Sequence, residues 1–262
     1  MTKEQIIELW KSVGWNNLSD YHNYLKSGQE RIILEELHPD KVSPKQFWSA
    51  ADYHFGTDPV CNHNNDHSRV LDIKEANYNN YQLAVFTGMA GQTLGVASLL
   101  NSTFGKIDIA EIGCGYSSIN SLYLEIENKY YTKTSYTGFD IIKRVNSTFE
   151  IEGEDGTFTE EQVKKYTEEF NLFYSSNTFQ HLSRKQIEVY LRQVYTMLPY
   201  GGYFNLMYVD RVESTYHYGQ VIEIIPIHEL ILDIKDIGFE VTGMTSMDLP
   251  NSLTPFSLVL KK

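Results

Sequence analysis

The sequence predicts an α/β fold, a doubly wound seven-stranded sheet whose last strand runs antiparallel, with a helical lid in front of it. Three observations carry this expectation. From Ile107 onward, apolar strand segments alternate with helical ones, the pattern of a parallel sheet with helices on both faces. The last two strand segments, Phe239–Thr245 and Phe256–Leu260, are joined by a loop too short for a crossover helix, so they must pair antiparallel. Ahead of about residue 80 the patterns are helical with polar breaks. The expected division is therefore 1–80 for the lid and 81–262 for the sheet domain.

Taken in order, the elements have local reasons. Thr2 and Gln5 resemble a capping box, and Ile6, Leu9 and Val13 follow at helical spacing. A second helix is expected from Ser19 or Asp20 to a stop before Pro39. Ser43-Pro44 reads as an N-cap with proline at the first helical position. The segment from Tyr53 to Asp72 is a long polar loop, and a helical pattern runs from about Tyr78 to Leu100. Ile107–Ile112 is almost continuously apolar, as a strand buried on both faces would be. Ser118–Asn128 suits a helix, Tyr136–Ile141 a strand, Phe149–Glu152 a short strand, and Glu160–Glu169 a charged helix. Asn171–Ser176 is the fourth strand, Arg184–Leu198 an amphipathic helix, and Tyr203–Val209 the fifth strand. Ile227–Ile237 is a helix capped by Gly238.

Composition narrows the function. With 42% hydrophobic residues among 262, the chain can build a sizeable core. Its net charge of −12, from 22 basic and 34 acidic residues, disfavours nucleic acid and anionic membrane as partners, because phosphates need clustered Lys and Arg. No apolar run approaches the ~20 residues of a membrane span. The opening residues are too polar for a signal peptide, and Cys61 and Cys114 form no disulfide framework, so a cytoplasmic location is expected.

The chemistry concentrates in IDIAEIGCGYSS, residues 107–118. Gly113 and Gly115 let the backbone turn tightly after a buried strand and approach a ligand, while the next helix offers its N-terminal amides. The dinucleotide fingerprint would place a third glycine at 118, where this chain has Ser118, so an NAD-dependent enzyme is the more distant alternative. Asp140 ends the second strand, where a carboxylate can take both hydroxyls of a ribose. NLFYSSNTFQHL sets polar residues just beyond the fourth strand, and LPYGGYF makes the corner before the fifth.

In their order and spacing these segments resemble the class I S-adenosylmethionine-dependent methyltransferases, over about Ile107 to Lys262. IAEIGCGYSS is similar to the family's first motif, TGFDI to its ribose-binding acid, and LFYSSNTFQHL to its fourth motif. The resemblance implies a Rossmann-like fold and S-adenosylmethionine as cofactor. It implies that Glu111 helps hold the ammonium group, that Gly113, Cys114 and Gly115 line the methionine part and ribose, and that Ile141 packs on adenine beside the diol-binding Asp140. Asp155 or Glu154 would meet the adenine amino group, unless EGEDGT is simply a solvated acidic turn. Ser176 or Asn177 would lie under the sulfonium. His181, with a pKa expected near neutrality, is the candidate general base, or else orients its loop. His217 is the next candidate, facing the acceptor after the fifth strand.

The polar loop holds Cys61, His63 and His67 with Asp58 and Asp66, residue types that bind metals. The spacing matches no standard structural zinc pattern, so no metal is expected. Tyr53, His54, His63 and His67 are read instead as facing a small polar acceptor. Trp10, Trp15 and Trp48 are read as packing for the lid. The leading expectation is O-methylation of a sugar, nucleotide-sugar or natural-product hydroxyl. N-methylation of a small amine, or a methyltransferase-like subunit without catalysis, are the alternatives.

Overall fold

A computed structural model describes residues 1–12, 41–57, 80–114, 133–142, 148–176, 178–211, 225–246 and 253–262. Seven strands form one sheet in the order β3-β2-β1-β4-β5-β7-β6. They are β1 (Lys106–Ile112), β2 (Lys133–Asp140), β3 (Thr148–Glu150), β4 (Leu172–Ser175), β5 (Tyr203–Arg211), β6 (Glu240–Ser246) and β7 (Leu253–Lys261). β1, β2, β3, β4 and β5 pair in parallel, and β7 runs antiparallel to both its neighbours, β5 and β6. This is a Rossmann-like sheet with one reversed strand, as the short connection before β7 demanded.

Around it stand α1 (Lys3–Ser12), α2 (Pro44–Thr57), α3 (Asn80–Phe104), α4 (Glu160–Lys165), α5 (Arg184–Met197) and α6 (Ile227–Ile237). Their starts are chemically specified. Thr2 and Gln5 exchange reciprocal bonds at the head of α1, and Ser43 and Gln46 do the same for α2. Thr159 with Gln162, and Ser183 with Gln186, make capping boxes for α4 and α5. Gly238 closes α6 in the left-handed region. Among the described residues, no helix is long and apolar enough to cross a membrane.

Strand alternation divides the core into two layers. Ala110 and Ile112 of β1, with Phe173 and Phe204, face the helices α5 and α6 through Leu191, Val194, Leu230 and Ile234. Ile107 and Ile109, with Leu172 and Tyr174, face α3 through Met89, Val96 and Leu100. Covering both faces is why β1 carries no alternation of its own. Each such side chain contributes roughly 1.5–3 kcal/mol when fully buried.

The charged helix expected over Glu160–Glu169 stops at Lys165. Glu168 takes φ +62, and its N–H bonds to Met197 O at 2.7 Å, a tertiary contact that replaces another helical turn. α3 continues to Phe104, past the end expected at Leu100, while its expected start near Tyr78 lies outside the described residues. The third strand ends at Glu150 instead of Glu152. The helices expected from residue 19 or 20 and over 118–128 lie outside the described residues.

Candidate functional site

The order β3-β2-β1-β4 reverses direction between β1 and β4, so a crevice opens at the carboxyl ends of these two strands. The register says which residues line it. Ile112 pairs with Phe139, which brings Asp140 beside Gly113. On the other side Glu111 pairs with Tyr174, which brings Ser176 beside Gly113. Three residues far apart in sequence thus meet at one corner.

The corner is tightly held. Gly113 has φ +69, a conformation that costs other residues about 1–2 kcal/mol. The N–H groups of Gly113 and Cys114 both donate to Phe139 O, at 2.8 and 3.1 Å. Ser175 Oγ donates to Ile112 O at 3.0 Å. A Cβ on Gly113 would lie 2.1 Å from Thr178 Oγ1. Cys114 is buried.

Glu111 shares the α3 face of the sheet with Ile109 and is only 1% exposed. It accepts a 2.6 Å bond from the Tyr136 hydroxyl. Burial, followed by the charge of Glu111, pushes the Tyr174 hydroxyl well above its ordinary pKa. The Tyr174 hydroxyl therefore stays protonated at neutral pH, a neutral neighbour of the carboxylate.

Asp140 is 7% exposed. Its Oδ1 accepts from Ile142 N at 3.1 Å, and its carbonyl accepts from Ile151 N at 2.8 Å, so the strand end is braced from both directions. Ile141 is half-buried, and its Cδ1 lies 3.0 Å from where a Cβ on Gly156 would stand. Tyr190 underlies this end, donating a short bond to Gly156 O. Asp155 uses Oδ1 to accept from Thr157 N at 3.0 Å and Thr157 Oγ1 at 2.8 Å. Both bonds stay within the turn.

His181 ends a single turn of 3-10 helix, Phe179–His181, that follows β4. The Trp48 ring of α2 meets its imidazole edge-on at 5.2 Å between centroids. Burial pushes the imidazole pKa down to about 4, a correction to the near-neutral value expected. Lys45, three residues before Trp48, makes a 2.5 Å ion pair with Glu150 at the end of β3. Pro44 Cβ is 3.1 Å from the site of a Cβ on Gly156. The start of α2 thus packs along the β3–β4 side of the crevice.

The corner therefore brings together Glu111, Gly113, Cys114, Asp140, Ile141 and Ser176, with His181 on the adjoining turn. Gly115, Asn177, His63, His67 and His217 lie outside the described residues, as does the group Cys61, Asp58 and Asp66. Tyr53 and His54 lie on α2, where the backbone alone is described. Among the described residues no three His, Cys, Asp or Glu side chains converge as a metal set. Tyr136, Thr178 and Lys45 escaped the sequence reading. Only Thr178 had a local signal, as the next polar residue after Ser176 and Asn177 in SSNT.

No known family model matches the chain, and no curated protein matches it. Solved structures do. A 1,6-didemethyltoxoflavin-N1-methyltransferase from Burkholderia thailandensis, with bound 1,6-didemethyltoxoflavin and S-adenosylhomocysteine, is 14% identical with a TM-score of 0.46. The alignment covers 70% of this chain and 85% of that one. A cyclopropane synthase from Mycobacterium tuberculosis is 10% identical with a TM-score of 0.46, over 67% and 84% of the two chains. A SAM-dependent methyltransferase from Archaeoglobus fulgidus is 15% identical with a TM-score of 0.40, over 70% of this chain and all of its own.

Proposed function

We propose that this chain is an S-adenosylmethionine-dependent methyltransferase acting on a small polar molecule. One observation carries the reading: a left-handed glycine at the end of β1 stands between Asp140 and Ser176 at the reversal point of the sheet. The residues fit an adenosyl sulfonium. Asp140 accepts from the ribose diol, Ile141 offers an apolar face to adenine, and the glycine corner admits the ribose and methionine part. Glu111, oriented by Tyr136, supplies negative charge toward the ammonium group. Ser176 or Asn177 lies under the sulfonium. Asp155 or Glu154 meets the adenine amino group, or the segment is a solvated acidic turn.

S-Adenosylmethionine supplies an already activated methyl group, so the protein's task is alignment, exclusion of water and, for some acceptors, removal of a proton. The test is binding of S-adenosylhomocysteine by calorimetry. The wild type should bind, and Asp140→Ala should lose about 1–3 kcal/mol of affinity, the cost of orphaning a charged hydrogen bond. If the wild type binds NAD and ignores S-adenosylhomocysteine, the dinucleotide reading replaces this one.

Residues 1 to about 80 are proposed as the lid, with 81–262 as the cofactor-binding domain; the contacts of Pro44, Lys45 and Trp48 support this. A chain beginning near Tyr81 should still bind S-adenosylhomocysteine, more weakly, and should lose methyl transfer. Full transfer by that chain would reduce the helices to an appendage. The acceptor expected from sequence is a sugar, nucleotide-sugar or natural-product hydroxyl in the cytoplasm. One observation favours the second reading, an amine. A hydroxyl must lose its proton as it attacks, and an imidazole with a pKa of about 4 is a weak base for that task. A neutral amine needs only its lone pair aimed.

A further inference from the structure

Thr178 occupies an unusual place for a helix-capping residue. It is the N-cap of the 3-10 turn Phe179–His181, yet its side chain makes no cap bond to that turn. Its hydroxyl turns back across the sheet end instead. Oγ1 lies 3.2 Å from Ser176 O, 3.3 Å from Ile112 O and 3.4 Å from Gly113 O. A threonine hydroxyl carries one proton, so these three carbonyls share one donor. The residue thus forgoes a bond to the turn that it opens.

The same side chain also fills the space that glycine leaves. A Cβ on Gly113 would stand 2.1 Å from Thr178 Oγ1, 2.5 Å from its Cγ2 and 2.8 Å from its Cβ. The methyl and the hydroxyl both press against the backbone of the corner. Ser175 Oγ bonds to Ile112 O from the preceding residue pair, so the end of β4 grips the end of β1 twice. The register alone brings Ser176 level with Gly113; Thr178 then ties the loop after β4 back to it.

We infer that Thr178 is a positioning residue for the cofactor. Its single proton, shared among the carbonyls of Ile112, Gly113 and Ser176, ties the glycine corner to the end of β4. It also couples that corner to the loop carrying Ser176 and His181, so that methyl donor and acceptor side keep one relative geometry. This rests on the methyltransferase reading above, and concerns a residue that itself touches no reacting atom.

Two substitutions separate hydroxyl from shape. Thr178→Val keeps the volume and removes the donor. Thr178→Ser keeps the donor and removes the methyl. Affinity for S-adenosylhomocysteine is measured by calorimetry, and stability by urea unfolding of the same full-length variants. Thr178→Val should weaken binding about tenfold, one hydrogen bond's worth, while Thr178→Ser stays within about threefold of wild type. Exchange of the Gly113 and Cys114 amides, which bond to Phe139 O, should be faster in the valine variant and not in the serine one. Equal affinity for wild type and Thr178→Val overturns the positioning role. So does a loss in both variants that simply follows their urea midpoints, or a valine variant that does not fold while the serine variant binds no better than it. Failure of the wild type to bind S-adenosylhomocysteine is a separate result, which removes the cofactor reading and this inference with it.

Discussion

Gly113→Ala is expected to abolish binding of S-adenosylhomocysteine and to cost about 2–5 kcal/mol of stability. Two effects add. Placing an L side chain at φ +69 costs about 1–2 kcal/mol. The new methyl would also stand within 3 Å of three atoms of Thr178, including its Cβ, so a rotamer change alone does not relieve the overlap. Overpacking of this kind typically costs a further 1–3 kcal/mol. The corner must shift, and with it the two amides pinned to Phe139 O beside Asp140. Urea unfolding and calorimetry measure the two consequences separately. A variant that is folded and binds the ligand as the wild type does would show that the corner is an ordinary turn.

The second large effect is in the pH dependence of stability. His181 has a folded pKa of about 4 against an ordinary value of 6.5. Between those values the unfolded chain binds a proton that the folded one refuses. Stability is therefore greatest above pH 6.5 and falls as the pH drops toward 4, with no further loss from this group below that. The difference between the two states corresponds to roughly 3 kcal/mol, of which about 2 should already be gone at pH 5. His181→Gln removes the titration. Its stability between pH 7 and pH 5 should fall by about 2 kcal/mol less than the wild type's. Parallel curves would mean that the ring titrates at its ordinary pKa in the folded chain. The same experiment bears on catalysis. If His181 is the base, turnover should decline only near pH 4. A decline near pH 6.5 would assign the base to another histidine, such as His217.

Much of the architecture is written in short stretches of sequence. Continuous apolar runs mark buried parallel strands, Thr2 and Ser43 announce their helices, and the short loop before the final strand imposes its direction. These signals are legible because their causes lie within a few residues. The glycine corner and Asp140 are legible for the same reason: each sits at the end of its own strand.

Tertiary structure decided the rest, because its causes join distant residues. Glu111 is oriented by Tyr136, 25 positions away, and Thr178 reaches carbonyls 65 and 66 positions back. His181 loses its basicity through burial beside Trp48 of α2, and no local pattern around FQH encodes desolvation. Glu168 breaks a helical pattern because Met197 O takes its N–H. Sequence by itself determined which elements form, in which direction they run and which strand ends carry the polar residues. Folding determined how those ends meet. Hydrogen-bond partners and dielectric surroundings belong to the assembled crevice and to none of its segments alone.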